Sequence, residues 1–120
     1  MTIKLEFAEN NLVISRNSGV LMQDEFNEAK QEVATFIENH GKINMLVILE
    51  EDFSNLQAFA SWDDNELDDF IQKNTNRLAI VGNLKWYEDA LLFFLHGLVP
   101  FTIEYFKSGQ EELAIAWLLQ

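Results

Sequence analysis

Apolar and polar residues alternate at the start of the chain, where Ile3, Leu5 and Phe7 are separated by Lys4 and Glu6. That period of two predicts a strand with one covered face. Glu9-Asn10-Asn11 then supplies turn residues before Leu12-Val13-Ile14, so the two runs read as a β-hairpin. From Gln23 to His40 the period changes: Phe26, Ala29, Val33 and Ile37 recur at helical spacing, with Asp24 and Glu25 in the first turn and Gly41 just past the end. Met45 to Leu49 and Leu78 to Val81 are unbroken apolar runs, the pattern of strands covered on both faces by helices. Helical segments from about Leu56 to Asn74 and from about Leu84 to Gly97 flank the second run, and Thr102 to Phe106 reads as a last strand. Ser108-Gly109-Gln110-Glu111 has the form of a capping box opening a final helix, whose expected buried side is Leu113, Ala116 and Trp117. The order β-β-α-β-α-β-α-β-α, with short connections throughout, predicts one α/β domain over residues 1–120, a central mixed β-sheet with about four helices.

The segment after Leu84 is too apolar for an ordinary surface helix. Advancing ~100° per residue spreads Trp86, Tyr87, Ala90, Leu91, Phe94, Leu95 and Leu98 over an arc of roughly 180°. A stripe facing one core needs only about 100°. Leaving Leu91, Leu92, Phe94 and Leu95 wet would forgo roughly 1.5–3 kcal/mol each, so a second surface is expected to cover them. That surface is the domain itself or a dimer partner on one reading, a lipid-like ligand or a membrane on the other. In the preceding helix Leu56, Phe59, Leu67, Phe70 and Ile71 share a stripe, and Trp62 lies roughly 115° from its centre. A continuous helix therefore turns Trp62 toward a ligand mouth, a subunit contact or a membrane edge, whereas a break near Asp63 turns it inward.

Twenty Asp and Glu against eight Lys and Arg give a net charge of −12, which repels nucleic-acid phosphates and removes nucleic acid as an expected partner. Cysteine is absent, so disulfides, thiolate metal sites and a thiol nucleophile drop out, in keeping with a reducing compartment. The longest apolar stretch, Ala90 to Phe101, is interrupted by His96, Gly97 and Pro100 and falls short of the ~20 residues of a spanning helix. Glu6 interrupts what a signal peptide would need as an apolar core. Asp63-Asp64-Asn65-Glu66 with Asp68-Asp69, and Glu50-Glu51-Asp52, suggest calcium but lack the EF-hand spacing and its glycine. They read as solvated faces, and no metal or cofactor is expected. His40 and His96 both fall near helix ends, and no nucleophile elbow, phosphate loop or zinc spacing accompanies them. No catalytic residue is assigned, and the chain reads as a binding protein and not an enzyme.

Ser18-Gly19-Val20 enters an acidic helix, His40-Gly41-Lys42 precedes an apolar strand, and Leu78-Ala79-Ile80-Val81-Gly82-Asn83 runs into Lys85-Trp86. With the ending Glu111-Glu112-Leu113-Ala114-Ile115-Ala116-Trp117-Leu118, these patterns resemble the SpoIIAA-like family of the STAS superfamily of anti-sigma-factor antagonists. The resemblance covers nearly the whole chain and implies a STAS-like fold. It further implies a bacterial, cytoplasmic homodimer whose second and third helices form a movable cover over an apolar site, with peripheral contact to the inner membrane. The lining expected on that basis is Phe59, Trp62, Phe70, Trp86, Leu91, Phe94 and Leu95, with an apolar small molecule or lipid as the ligand. Any bilayer contact would be made by these apolar groups, because the net charge of −12 opposes attraction to anionic lipid. The alternative is a regulatory protein–protein interaction module. Classical antagonists are phosphorylated on a serine after the central strand, and Ser54 in Leu49-Glu50-Glu51-Asp52-Phe53-Ser54 takes that place here. The flanking Asp-Ser-Ser/Thr-Gly pattern is absent, and the acidic residues before Ser54 would meet a phosphate with like charge.

Overall fold

A computed structural model of the chain describes residues 3–20, 23–53, 66–86 and 101–120. The apolar runs become five strands, β1 (Ile3–Ala8), β2 (Leu12–Asn17), β3 (Ile43–Leu49), β4 (Thr75–Gly82) and β5 (Thr102–Lys107). Among the described residues the α-helices are α1 (Gln23–His40), α2 (Glu66–Lys73) and α3 (Glu111–Leu118). The strands form one sheet in chain order, with β1 antiparallel to β2 and every later neighbour parallel. This is the mixed sheet that the patterning predicts. The hairpin turn holds Asn10 at φ 62° and Asn11 at φ 56°, a left-handed conformation that asparagine tolerates. The Asn11 amide then donates to the carbonyls of His40 at 2.9 Å and Lys42 at 3.1 Å, tying the hairpin to the end of α1.

Because β2, β3 and β4 step across the sheet in one direction, right-handed crossovers place α1 and α2 on the same face. Their core joins Phe26, Val33 and Ile37 of α1 and Ile71 of α2 to Val13, Val47 and Ile80 of the sheet. Trp86 and Phe101, which bracket residues 87–100, pack on this face too. The opposite face is closed by α3, where Ala114 and Leu118 cover Leu12, Ile14, Leu46, Ile48, Ala79 and Val81. The central strands are thus buried on both sides, as their unbroken apolar runs require.

The structure corrects the expected seating of α3. Leu113 is 55% exposed and Ala116 is exposed, while Ala114 and Leu118 are buried and Trp117 is half-buried. Apolar side chains occur all the way round this helix, so periodicity alone carries no phase. Its C-terminal end is tied to β4 by Arg77, whose Nη1 donates to the Trp117 carbonyl at 2.6 Å and whose guanidinium lies 5.2 Å from the Trp117 ring centroid. The capping box does not form: Gln110 occupies the N-cap position and its Oε1 accepts from the Lys107 N–H at 3.1 Å, while Glu111 turns to Arg16. The second predicted helix is described from Glu66 and ends at Lys73. Of the third, the described part is a 3-10 turn, Leu84–Trp86, which leaves three α-helices among the described residues against about four expected. Among the described residues, no helix is long and apolar enough to cross a membrane.

Candidate functional site

Parallel strands gather their C-terminal ends on one edge, and ligands of α/β sheets bind outside that edge. Here β2, β3 and β4 reach it at Asn17, Leu49 and Gly82. Residues 54–65 follow β3 and residues 87–100 follow β4, so the two segments richest in predicted lining residues leave adjacent strands at the same edge.

Their roots touch. Phe53, 1% exposed, meets the half-buried Trp86 edge to face, with ring centroids 5.4 Å apart and an interplanar angle of 70°. A chain of backbone bonds fixes Phe53: the Glu50 N–H donates to the Asn17 carbonyl at 2.8 Å, and the Phe53 N–H donates to the Glu50 carbonyl at 3.0 Å. Asn83 fixes Trp86 by accepting from its N–H at 3.0 Å and by accepting the Lys85 N–H on its side-chain oxygen at 2.9 Å. The Tyr105 hydroxyl donates to the Asn83 carbonyl at 2.7 Å, linking β5 to the same turn. Burial pushes the Tyr105 phenol up to about 12. Gly82 lets these groups close together, since a Cβ there would stand 2.9 Å from the Leu49 Cβ and 3.1 Å from the Tyr105 oxygen.

Among the predicted lining residues, Phe70 and Trp86 are placed, and both are half-buried against the α1/α2 core. Phe59, Trp62, Leu91, Phe94 and Leu95 lie outside the described residues, as does Ser54. Sequence patterning missed Phe53, Gly82, Asn83 and Tyr105. A glycine closing a buried strand run, as Gly82 does, was the available signal for a close approach.

Beside this aromatic root the edge is polar. Lys4, Arg16, Ser18, Glu50, Glu51 and Asp52 line an open cleft. Arg16 meets Glu111 through both arms of its guanidinium, at 3.1 and 3.4 Å, with Glu50 at 3.7 Å. The hydrogen bonds to Glu111 hold the Arg16 guanidinium above its ordinary value. Asn17, fully buried, donates to the Ser15 hydroxyl at 3.1 Å and to the Ile48 carbonyl at 3.2 Å, while its Oδ1 has no hydrogen-bond partner.

The core between α1, α2 and the sheet holds a cavity of about 40 Å³, lined by groups that include Leu5, Ser15, Phe26, Lys30 and Ile71. Drug-sized ligands occupy upwards of roughly 300 Å³, so this space is not itself a ligand chamber. Lys30, 5% exposed, runs its stem along the cavity wall and sets Nζ 5.1 Å from the centroid of the Phe26 ring. Among the described residues no group of His, Asp and Glu converges in a way that could hold a metal ion.

A family model described as SpoIIAA-like matches residues 12–119. The crystal structure of an uncharacterized DUF3478-family protein from Shewanella loihica PV-4, with a SpoIIAA-like fold, matches at TM-score 0.64 and 21% identity, over 97% of this chain and 91% of that one. No curated protein matches the chain in sequence.

Proposed function

The chain belongs to the SpoIIAA-like family, and from that premise we propose that it is a non-catalytic binding module taking an apolar, lipid-like molecule at the C-terminal edge of β3 and β4. The observation that carries this reading is the Phe53–Trp86 contact. It roots two adjacent apolar segments on one sheet edge, with Phe70 on the same face. Neither root needs catalytic chemistry. In this reading residues 54–65 and 87–100 supply Phe59, Trp62, Leu91, Phe94 and Leu95 to the ligand, open to exchange it and bring the same groups to a bilayer. The protein acts as a cytoplasmic homodimer, peripheral to the inner membrane.

Native mass spectrometry of the gently purified protein tests ligand and oligomer together. The expected spectrum is a dimer with a retained mass that disappears in Trp86→Ser while the protein stays folded. A wild-type protein that retains nothing, and whose tryptophan emission ignores added palmitate, sinks the reading. Liposome flotation tests the membrane contact separately. Flotation should strengthen with salt, and weakening with salt, or persistence after Phe94→Ser with Leu95→Ser, overturns it.

A second reading rests on Ser54, which follows the buried Phe53 in the chain, a few residues after β3. A phosphate there would set a new charge beside Glu50, Glu51 and Asp52 and push the edge open by repulsion, switching a partner-binding surface. Intact mass of the protein from its native host decides this: no phosphate on Ser54, with Ser54→Ala behaving as wild type, removes the reading.

A further inference from the structure

Away from that edge, β1 lies at the margin of the sheet and, among the described residues, pairs with β2 alone. Its α1-facing side chains, Ile3, Leu5 and Phe7, carry no charge, while the charged Lys4 and Glu6 alternate with them. A groove runs between this strand and α1. Leu5 and Phe7 form its apolar wall, and Glu25, Glu28 and Glu32 line the helix side, with Lys4 as the single cation among the lining residues. Phe7 is 41% exposed yet held in place, stacking on Phe36 at 4.7 Å, which stacks in turn on His40 at 4.1 Å.

We infer that this groove binds an extended basic segment of a partner protein, which adds to β1 as a sixth strand. The backbone edge supplies hydrogen bonds, and the alternating side chains supply specificity. On the α1 side of the added strand, successive residues stand about 6.6 Å apart, so three of them span about 13 Å. Glu25 to Glu32 spans about 10.5 Å along the helix. Two or three Lys or Arg at every second position therefore match the carboxylate row. A second copy of this chain, paired through its own β1, is the wrong occupant of this groove, because it would set its own Glu25, Glu28 and Glu32 against the same row here.

The test is a capped hexapeptide alternating lysine and valine, titrated into isotopically labelled full-length protein at about 0.15 M salt. Amide shifts should concentrate at Ile3–Ala8 and along residues 25–32 of α1. Glu28→Gln with Glu32→Gln should weaken binding about fivefold. N-methylation of alternate peptide bonds keeps the charge but removes the edge donors, and should weaken binding roughly tenfold. The proposal is overturned if the methylated peptide binds as well as the parent, if the shifts map elsewhere, or if the glutamine variant binds unchanged. Self-association that Phe7→Lys abolishes overturns it as well, by assigning the edge to a second copy.

Discussion

Phe53 and Trp86 meet edge to face at 5.4 Å, one fully inside the core and the other half-buried at its margin. Such a pair adds about 0.5–1.5 kcal/mol beyond the area it buries. A double-mutant cycle with Phe53→Leu and Trp86→Leu, read by urea unfolding, should return a coupling energy in that range. A value near zero would mean that the segments after β3 and β4 are anchored independently.

Gly82 is expected to reject even one methyl group. Its nearest neighbour is the Leu49 Cβ, which no rotamer change can move aside. Gly82→Ala should cost about 1–3 kcal/mol of stability. Adding Tyr105→Phe removes the 3.1 Å contact but not the 2.9 Å one, so the double variant should recover only part of the loss. Full recovery would place the crowding at Tyr105.

Alkaline stability should report on Tyr105. Its phenol titrates near 12 in the folded protein because burial disfavours the phenolate, against about 10 when unfolded. Below pH 10 both states hold the proton and the contribution is intact. Between 10 and 12 the unfolded chain releases it first, so stability falls as pH rises. Urea midpoints measured from pH 9 to 12 should show this slope in the wild type and a shallower one in Tyr105→Phe.

Two arginines secure α3 with different strength. Arg16 pairs with Glu111 at 3.1 Å with both side chains about 40% exposed, so solvent screens the pair, and Arg16→Ala should cost under about 1 kcal/mol and less still in high salt. Arg77 donates to the Trp117 carbonyl from a partly buried position, a charge-assisted bond worth about 1.5–3 kcal/mol. Arg77→Ala should therefore lower the urea midpoint more than Arg16→Ala, with little salt dependence.

The sheet was legible because its signals are local. Alternation in Ile3–Phe7 marks an edge strand, and unbroken runs such as Met45–Leu49 mark strands covered twice. The seating of α3 was not, since Leu113, Ala116 and Trp117 look as apolar as Ala114 and Leu118. What distinguishes them is the sheet face of Leu12, Leu46 and Val81 on which Ala114 and Leu118 pack, all of it remote along the chain, as is Arg77, 40 residues from the Trp117 carbonyl it meets. The same holds at the candidate site: Trp86 stood out as a large aromatic, but Phe53 gains its meaning only when β3 and β4 lie side by side. Phe70 and Ile71 share a helical stripe in the sequence, but that both pack on the face that also carries Trp86 follows only once the crossovers fall on one side of the sheet.

The order of strands in space repeats their order in the chain, which has a consequence for how the protein is made. Each strand leaving the ribosome finds its neighbour already in place, so the sheet can grow from one side without waiting for a distant partner. Helix α3 comes after every strand. Until it docks, Leu12, Leu46 and Val81 form an open apolar plate beneath no cover. The hazardous moment of biosynthesis is thus the interval between the pairing of β5 and the arrival of Ala114 and Leu118, and chaperone demand should concentrate there.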